Sequence, residues 1–267
     1  MKGKIFLLSI CSMFLAACDY IAPSEQLIEV EDIVAPPTPS PTSTTRKVLL
    51  EDFTGQKCSN CPTAIEVIEE LQEAYGDRLV AVGIHGGPLG FKGNASRVGL
   101  ATDLGETYFS HWNLEFQPVG LINRGGTINY PEWMGAVREA LNQEAGTRLE
   151  LSVQLSSDDL VITVNATRLA PEAYAGKLQL WVVEDSIVAQ QVMPDGKPQL
   201  DFVHNHVLRT AVNGTWGDEV TLDASEERTW NYTCSVDAAW NRQHLSIVAF
   251  LYNDTGVEQV EKAHVSL

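Results

Sequence analysis

The fold of this chain is decided by the strand-like stretch Val48-Leu49-Leu50-Glu51-Asp52-Phe53, the turn Thr54-Gly55-Gln56-Lys57 and the motif Cys58-Ser59-Asn60-Cys61. The first stretch is largely apolar, as expected of a buried strand. After the motif, apolar residues recur at helical spacing from Ile65 to Tyr75, and Gly76 then supplies a stop. The pattern predicts a strand, a C-x-x-C turn and an amphipathic helix in direct succession.

A C-x-x-C pair between a strand and a helix has a clear chemical use. The unpaired N–H groups and the dipole of the helix stabilise a thiolate on the first cysteine. We therefore predict Cys58 as the exposed, attacking sulfur and Cys61 as the resolving sulfur. The same motif is half of a zinc site, but no second C-x-x-C and no Cys/His pair of suitable spacing follows. We predict no metal site and no cofactor.

Three histidines are weaker candidates for a site. His204 and His206 share one face of the strand predicted over residues 202–208, by its period of two, and two imidazoles could bind a metal there. A structural or hydrogen-bonding role is the preferred interpretation, because a closed metal site needs more ligands. His85 ends another predicted strand, from which it either approaches the cysteines or solvates the strand end.

The segment after the helix continues an α/β pattern. An apolar run over residues 79–84 predicts an inner parallel strand, and a glycine-rich loop and a mixed helical stretch over 95–112 follow. Residues 116–124 predict a strand that contains Pro118, and residues 132–144 predict a closing helix. The pattern indicates an α/β domain over residues 47–147.

The pattern changes from helical to alternating after Gly146. Seven or so short strands with turns between them predict an all-β domain over residues 148–267, of the immunoglobulin-like β-sandwich type. One of these strand-like runs, residues 230–234, ends in Cys234. We expect this lone cysteine to be buried as a small apolar residue, with a thiol available for mixed disulfides as the alternative.

The order of strand, C-x-x-C, helix, strand and a proline that opens a later strand resembles the thioredoxin fold. The resemblance implies that Pro118 is a cis-proline facing the disulfide. It also implies that the backbone of Gln117 pairs with a bound peptide or thiol substrate. The chain departs from the thioredoxin family in having no Trp before Cys58 and in carrying Ser59-Asn60 between the cysteines.

The whole mature chain resembles the Omp28-related outer-membrane lipoproteins of Bacteroidota. The residues that carry this resemblance are residues 49–55, the motif and Pro62 at 58–62, Ile84-His85-Gly86-Gly87, and Phe202-Val203-His204-Asn205-His206-Val207-Leu208-Arg209. The resemblance implies a two-domain plan and a location in the cell envelope, at the outer membrane and often facing outward. It implies no specific biochemical activity.

Residues 1–17 have the pattern of a lipoprotein signal peptide. A basic start and an apolar run end in Leu15-Ala16-Ala17 before Cys18, and the run is too short for a permanent membrane span. We predict that the mature chain begins at Cys18 and carries acyl chains such as palmitate there. An ordinary secretory signal is the alternative. The proline-rich residues 18–46 predict an extended tether.

Composition limits the classes of partner. The formal net charge of −17 disfavours nucleic acid and leaves the lipid anchor as the means of membrane attachment. We interpret the chain as an envelope lipoprotein that exchanges disulfides with protein or peptide thiols. The alternatives are a non-catalytic surface module for binding or assembly, with the cysteine pair as a structural disulfide, and a small-ligand carrier. The sequence does not address the oligomeric state.

Replacement of Cys18→Ser tests the predicted anchor. Because acyl chains on Cys18 would hold the protein on the membrane, the variant should lose both lipid labelling and membrane retention. Metabolic labelling with a fatty acid and fractionation in high salt measure the two effects. Membrane retention of the variant in high salt would contradict the assignment.

Overall fold

The computed structural model describes residues 43–266. The predicted signal peptide, Cys18 and the tether as far as residue 42 lie outside the described residues. Between residues 43 and 266, no helix combines the length and the apolar character needed to cross a membrane.

The described chain is a mixed α/β structure that is rich in strands, as the sequence predicts. The α-helices are α1 (Cys61–Tyr75), α2 (Asp103–His111) and α3 (Trp133–Leu141). The strands are β1 (Val48–Thr54), β2 (Leu79–His85), β3 (Val119–Ile122), β4 (Thr127–Asn129), β5 (Thr147–Ser156), β6 (Asp159–Arg168), β7 (Tyr174–Glu184), β8 (Ile187–Val192), β9 (Pro198–His204), β10 (Val207–Ala211), β11 (Asp218–Leu222), β12 (Glu227–Ser235), β13 (Leu245–Asn253) and β14 (Gly256–His264).

One large sheet runs through the whole folded body. Its order is β14-β13-β7-β10-β2-β1-β3-β4, with β11 also paired to β7. Strands β1 and β2 are parallel, whereas β3 is antiparallel to β1. Strand β10 lies parallel to β2, with Val207 opposite Gly83, and the Gly83 N–H donates to the His206 carbonyl at 2.8 Å. The large sheet therefore contains strands from both sides of residues 147 and 148, where the sequence predicts a domain boundary.

Two smaller sheets complete the β structure. The three-stranded sheet β12-β6-β5 packs its apolar residues against β7 and β13, and Leu160, Ile162 and Val164 of β6 are fully buried there. Strands β8 and β9 form a separate antiparallel hairpin. Its buried contact with the large sheet is a small cluster of Leu100, Ala189 and Val207.

The helices cover both faces of β1 and β2. Alternate residues of β1, Val48 and Leu50, pack with α1 and α3. The intervening residues, Leu49 and Phe53, pack on the opposite face with Tyr108 and other residues of α2. Strand β1 is therefore buried on both faces, which explains its nearly continuous apolar sequence.

Two stretches differ from the sequence predictions. Only residues 103–111 of the expected helical stretch 95–112 are α-helical, because Thr102 caps the helix by accepting a hydrogen bond from the Gly105 N–H at 2.9 Å. The expected continuous strand over residues 202–208 is divided into β9 and β10 by a turn at Asn205-His206. His206 has φ +46°, outside the range of an extended strand.

A buried ion pair joins β1 to the segment after β3. Arg124 Nη2 lies 3.4 Å from Glu51 Oε1, and both side chains are almost fully buried. The guanidinium also lies over aromatic rings of the second half of the chain, 4.1 Å from the centroid of Tyr252 and 4.8 Å from that of Phe250. Arg124 therefore neutralises a buried carboxylate and packs against aromatic rings of β13.

The last residues of the predicted tether belong to the folded body. Thr44 exchanges backbone hydrogen bonds with Ala145. The Arg46 guanidinium donates to the carbonyl groups of Val257 and Glu258 on β14. The chain is therefore fixed to the fold before β1 begins.

Replacement of Arg124→Met tests the importance of the ion pair. The change leaves Glu51 buried without its cation, so we expect the free energy of unfolding to fall by about 3 kcal/mol. Denaturant unfolding measures the loss.

The double variant Glu51→Met/Arg124→Met is the control. It replaces both charges by apolar side chains of similar length, and should recover most of the lost stability. Equal destabilisation in the single and double variants would show that the ring contacts of Arg124, and not the ion pair, stabilise the fold.

Candidate functional site

The Cys58–Cys61 pair forms a disulfide at the start of α1, with Cα atoms 5.4 Å apart. Cys61 is the first residue of the helix and Pro62 follows it. Proline fits this position because the first turn of a helix has no internal partners for its N–H groups. The disulfide thus lies where the positive end of the helix dipole stabilises a thiolate.

Both sulfur-bearing residues are buried. Cys58 is 1% exposed and Cys61 is 0% exposed, which differs from the exposed Cys58 expected from the sequence. The difference arises because two segments far away in the sequence pack on the loop 55–58. These segments are the loop 86–90 and strand β8 of the hairpin.

The loop 86–90 packs on the disulfide loop through close backbone contact. The Lys57 N–H donates to the Leu89 carbonyl at 3.0 Å. A Cβ atom on Gly55 would lie 2.4 Å from the same carbonyl oxygen, so this position requires glycine. The glycine brings the two loops into direct contact beside the cysteines.

Gln117 and Pro118 lie at the same end of β1. Their peptide bond is cis, as predicted for Pro118, and the predicted orientation of Pro118 toward the disulfide stays a prediction. Because Phe53 is opposite Val119, Pro118 lies next to the carboxyl end of β1, where the disulfide loop starts. The Gln117 side chain donates to the carbonyls of Thr54 and Gly86 and accepts from the Leu89 N–H. The predicted substrate contact of the Gln117 backbone stays a prediction.

Strand β8 is held on the disulfide loop by two glutamines. Gln191 Nε2 donates to the Cys58 carbonyl at 2.8 Å and to the Gly55 carbonyl at 3.3 Å. Gln56 Nε2 donates to the Gln190 carbonyl at 2.9 Å, and the Gln56 carbonyl accepts from the Val192 N–H at 2.9 Å. The sequence gives no indication of these contacts, because they join residues more than 130 positions apart.

Asp52 is a buried acid that the sequence analysis does not single out. It lies on the face of β1 that α1 covers, since it alternates with Leu50 and is directly opposite Gly83. Its Oδ1 atom has no hydrogen-bond partner, and burial raises the pKa of Asp52 to about 8. An acidic residue inside the apolar run 48–53 is the signal that could have identified it.

His85 and His204 form a buried pair between β2 and the end of the hairpin. Their ring centroids are 5.4 Å apart, and burial lowers the pKa of both, to about 4 for His204. His85 Nδ1 and His204 Nε2 have no hydrogen-bond partner. His85 therefore does not solvate a strand end, and the turn at residues 205–206 removes the shared strand face expected for His204 and His206.

Across residues 43–266, no three His, Cys, Asp or Glu side chains are grouped so that they could hold a metal ion. Cys234 is a free thiol on β12, partly exposed instead of fully buried, and it packs against the core between the sheets. Trp112 and Phe116 line a cavity of about 310 Å³, in which Phe116 is half exposed.

Comparison with protein families matches residues 105–267 to the family described as outer membrane protein Omp28. The match covers more than half of the chain. The chain belongs to the Omp28 family. This membership confirms the outer-membrane location in the cell envelope that the sequence predicts. The matched region begins after the Cys58–Cys61 disulfide. No curated protein sequence matches the chain.

Among solved structures, two that are similar over most of this Omp28-family chain share its fold, and a third matches less than half of it. HBP35 of Porphyromonas gingivalis is 15% identical and has a TM-score of 0.66, over 84% of this chain and 76% of its own. Protein AGR_C_4864 from Agrobacterium tumefaciens is 17% identical with a TM-score of 0.50, over 82% and 94% of the two chains. A domain of the Omp28 lipoprotein from P. gingivalis is 23% identical with a TM-score of 0.34, over 46% and 89%.

The pH dependence of stability tests the environment of Asp52. Because the pKa of Asp52 is raised to about 8, the native state holds a proton that the unfolded chain releases above about pH 4. The free energy of unfolding should therefore fall as the pH rises from about 4 to about 8.

The variant Asp52→Asn removes this proton-binding group. We expect it to be more stable than the wild type at pH 8, by on the order of 3 kcal/mol, and equally stable near pH 4. Denaturant unfolding across this pH range measures the difference. Asp201→Asn, on the exposed part of β9, is the matched control. An unchanged pH slope in Asp52→Asn would contradict the assignment.

Proposed function

We propose that this Omp28-family lipoprotein carries out thiol–disulfide exchange with proteins of the cell envelope through Cys58 and Cys61. The observation that carries the proposal is the position of the disulfide at the start of α1, on the sheet face that also holds the buried acid Asp52. A helix start lowers the pKa of a cysteine, and a buried acid with a pKa near neutral pH moves protons.

The topology around the disulfide supports a thioredoxin-like unit. Strands β1 to β4 occur in the order β2-β1-β3-β4, with β1 and β2 parallel and β3 and β4 antiparallel to their neighbours. Helices α1 and α3 cover one face and α2 covers the other. The C-x-x-C pair follows β1, as in the fold that the sequence resembles.

In the proposed reaction, a client dithiol is the reductant and the Cys58–Cys61 disulfide is the oxidant. A client thiolate attacks Cys58 Sγ, the bond to Cys61 breaks, and its electron pair moves to Cys61 Sγ, which takes a proton. The carboxyl group of Asp52 is the proposed proton donor, because its raised pKa keeps it protonated at neutral pH. A second client thiol then attacks the mixed disulfide, so the client leaves oxidised and Cys58 leaves as a thiolate. The reverse sequence reduces a client disulfide.

The proposed client contacts are those that the thioredoxin resemblance implies. The backbone of Gln117 would pair with a client segment, and Pro118 lies at the same end of the sheet as the disulfide. The hydrogen bonds of the Gln117 side chain to β1 and to the loop 86–90 hold this backbone in place. The predicted acyl anchor at Cys18 would restrict the clients to envelope proteins.

The burial of both cysteines favours a second candidate function. A disulfide that is shielded from solvent is the expected form of a permanent cross-link. In that case the protein is a non-catalytic module for surface binding or assembly, and the disulfide fixes the loop 55–58 on the start of α1. The proposed immunoglobulin-like layer of strands β5, β6 and β12 would then supply binding surface.

The reduction potential distinguishes the two candidates. Exchange predicts a potential in the range of thiol–disulfide exchange enzymes, and a permanent cross-link predicts one below about −300 mV. Equilibration with glutathione and thioredoxin couples measures it in a Cys234→Ser background, which removes the free thiol.

Trapping in the envelope provides the second measurement. The variant Cys61→Ser should accumulate mixed disulfides with clients, because no resolving thiol releases them. Cys58→Ser is the matched control and should trap none. A potential below about −300 mV together with equal trapping by both variants would contradict exchange and favour the structural disulfide.

A further inference from the structure

Strand β8 contacts the disulfide loop as a bound peptide would. The Gln56 side-chain amide donates to the Gln190 carbonyl, and the Gln56 carbonyl accepts from the Val192 N–H, each at 2.9 Å. A carbonyl and an N–H two residues apart lie on the same edge of an extended strand. Gln56 therefore binds the backbone edge of β8 and not one particular side chain.

The residue between these two backbone contacts points onto the cysteine loop. Gln191 is 1% exposed, and its amide donates to the carbonyls of Cys58 and Gly55. The three contacts together resemble the recognition of an added strand, in which backbone bonds give affinity and alternate side chains enter pockets. The side chain at position 191 lies directly against the backbone of Cys58.

The hairpin is attached to the rest of the fold mainly through side chains. Its two strands pair only with each other, and besides the glutamine contacts it meets the body at the apolar cluster around Ala189, through the ring of His204 against His85, and through a hydrogen bond from Arg97 to Gln190 at 3.0 Å. Left-handed residues flank it at both ends, Ser186 with φ +60° and His206 with φ +46°. Its outer side carries exposed apolar residues, of which Leu200 is 69% exposed. The hairpin thus has the features of a segment that detaches as a unit.

We propose that β8 occupies, from within the chain, a binding site for an extended polypeptide beside the Cys58–Cys61 disulfide. The client of the exchange reaction displaces β8 and pairs its own backbone edge with Gln56. A client cysteine at the position of Gln191 then meets Cys58. This inference rests on the proposed exchange function and names its substrate class, an extended polypeptide segment and not a small thiol.

The rate of disulfide reduction tests the site in the mature protein with Cys234→Ser. Three thiols are compared at equal thiolate concentration. The first is the peptide of residues 188–192 with cysteine in place of Gln191. The second is the same peptide with proline in place of Val192, which removes the N–H group that donates a hydrogen bond to the Gln56 carbonyl. The third is 2-mercaptoethanol.

We expect the first peptide to react about tenfold faster than the other two thiols, since only this peptide replaces all the backbone contacts of β8. In the variant Gln191→Ala, we expect 2-mercaptoethanol to react about tenfold faster than with the wild type, because β8 is bound less tightly. The control Gln199→Ala changes the residue opposite Gln191 on β9, which is exposed, and should leave the rates unchanged.

Two results would overturn the proposal. Equal rates for the two peptides would show that no backbone edge is recognised, and an unchanged rate in Gln191→Ala would show that β8 does not block access. Hydrogen exchange of residues 187–204 in Gln191→Ala provides a second measurement, and it should be faster than in the wild type. A reduction potential below about −300 mV with the peptide preference retained would reject exchange as the function and keep the peptide site.

Discussion

The parallel pairing of β10 with β2 is the contact on which the arrangement of the site depends. A single register pair, Val207 opposite Gly83, and the hydrogen bond from the Gly83 N–H to His206 join the two halves of the large sheet. Because β10 is fixed there, the hairpin that precedes it must return across the carboxyl end of β2. That end of the sheet also holds the disulfide loop. The second half of the chain therefore covers the cysteines of the first half.

Two neighbouring acids on β1 show how the two faces of one strand differ. Glu51 points to the face of α2, where Arg124 neutralises it, and the Arg124 guanidinium in turn lies over the aromatic rings of β13. Asp52 points to the face of α1, where burial raises its pKa and its Oδ1 has no partner. The first carboxyl group is paired with a cation that contacts both halves of the chain. The second has the burial and the raised pKa that are typical of acids at functional sites.

The sequence predicts the local part of the site well and the long-range part poorly. Periodicity identifies β1, α1 and β2 and places the cysteines at the helix start, because these features depend on neighbouring residues. The burial of Cys58 depends on Gln191, and no local pattern relates the two residues. The turn at Asn205-His206 contains neither glycine nor proline, so residues 202–208 look like one strand. Because residues 202–208 are predicted as one strand, the β8–β9 hairpin is missed, and so is its contact with the disulfide loop.

The attachment of residues 43–46 to the fold determines how the folded body would be oriented relative to a membrane that holds Cys18. Thr44 and Arg46 bind the fold at the amino end of β1, and the disulfide lies beyond its carboxyl end. Seven extended residues separate these ends by about 20 Å. Tension on an anchor at Cys18 would act on the hydrogen bonds of Thr44 and Arg46, and would not reach the cysteines. The Cys58–Cys61 disulfide would therefore lie on the side of the fold away from the lipid, where tension on the tether does not load it.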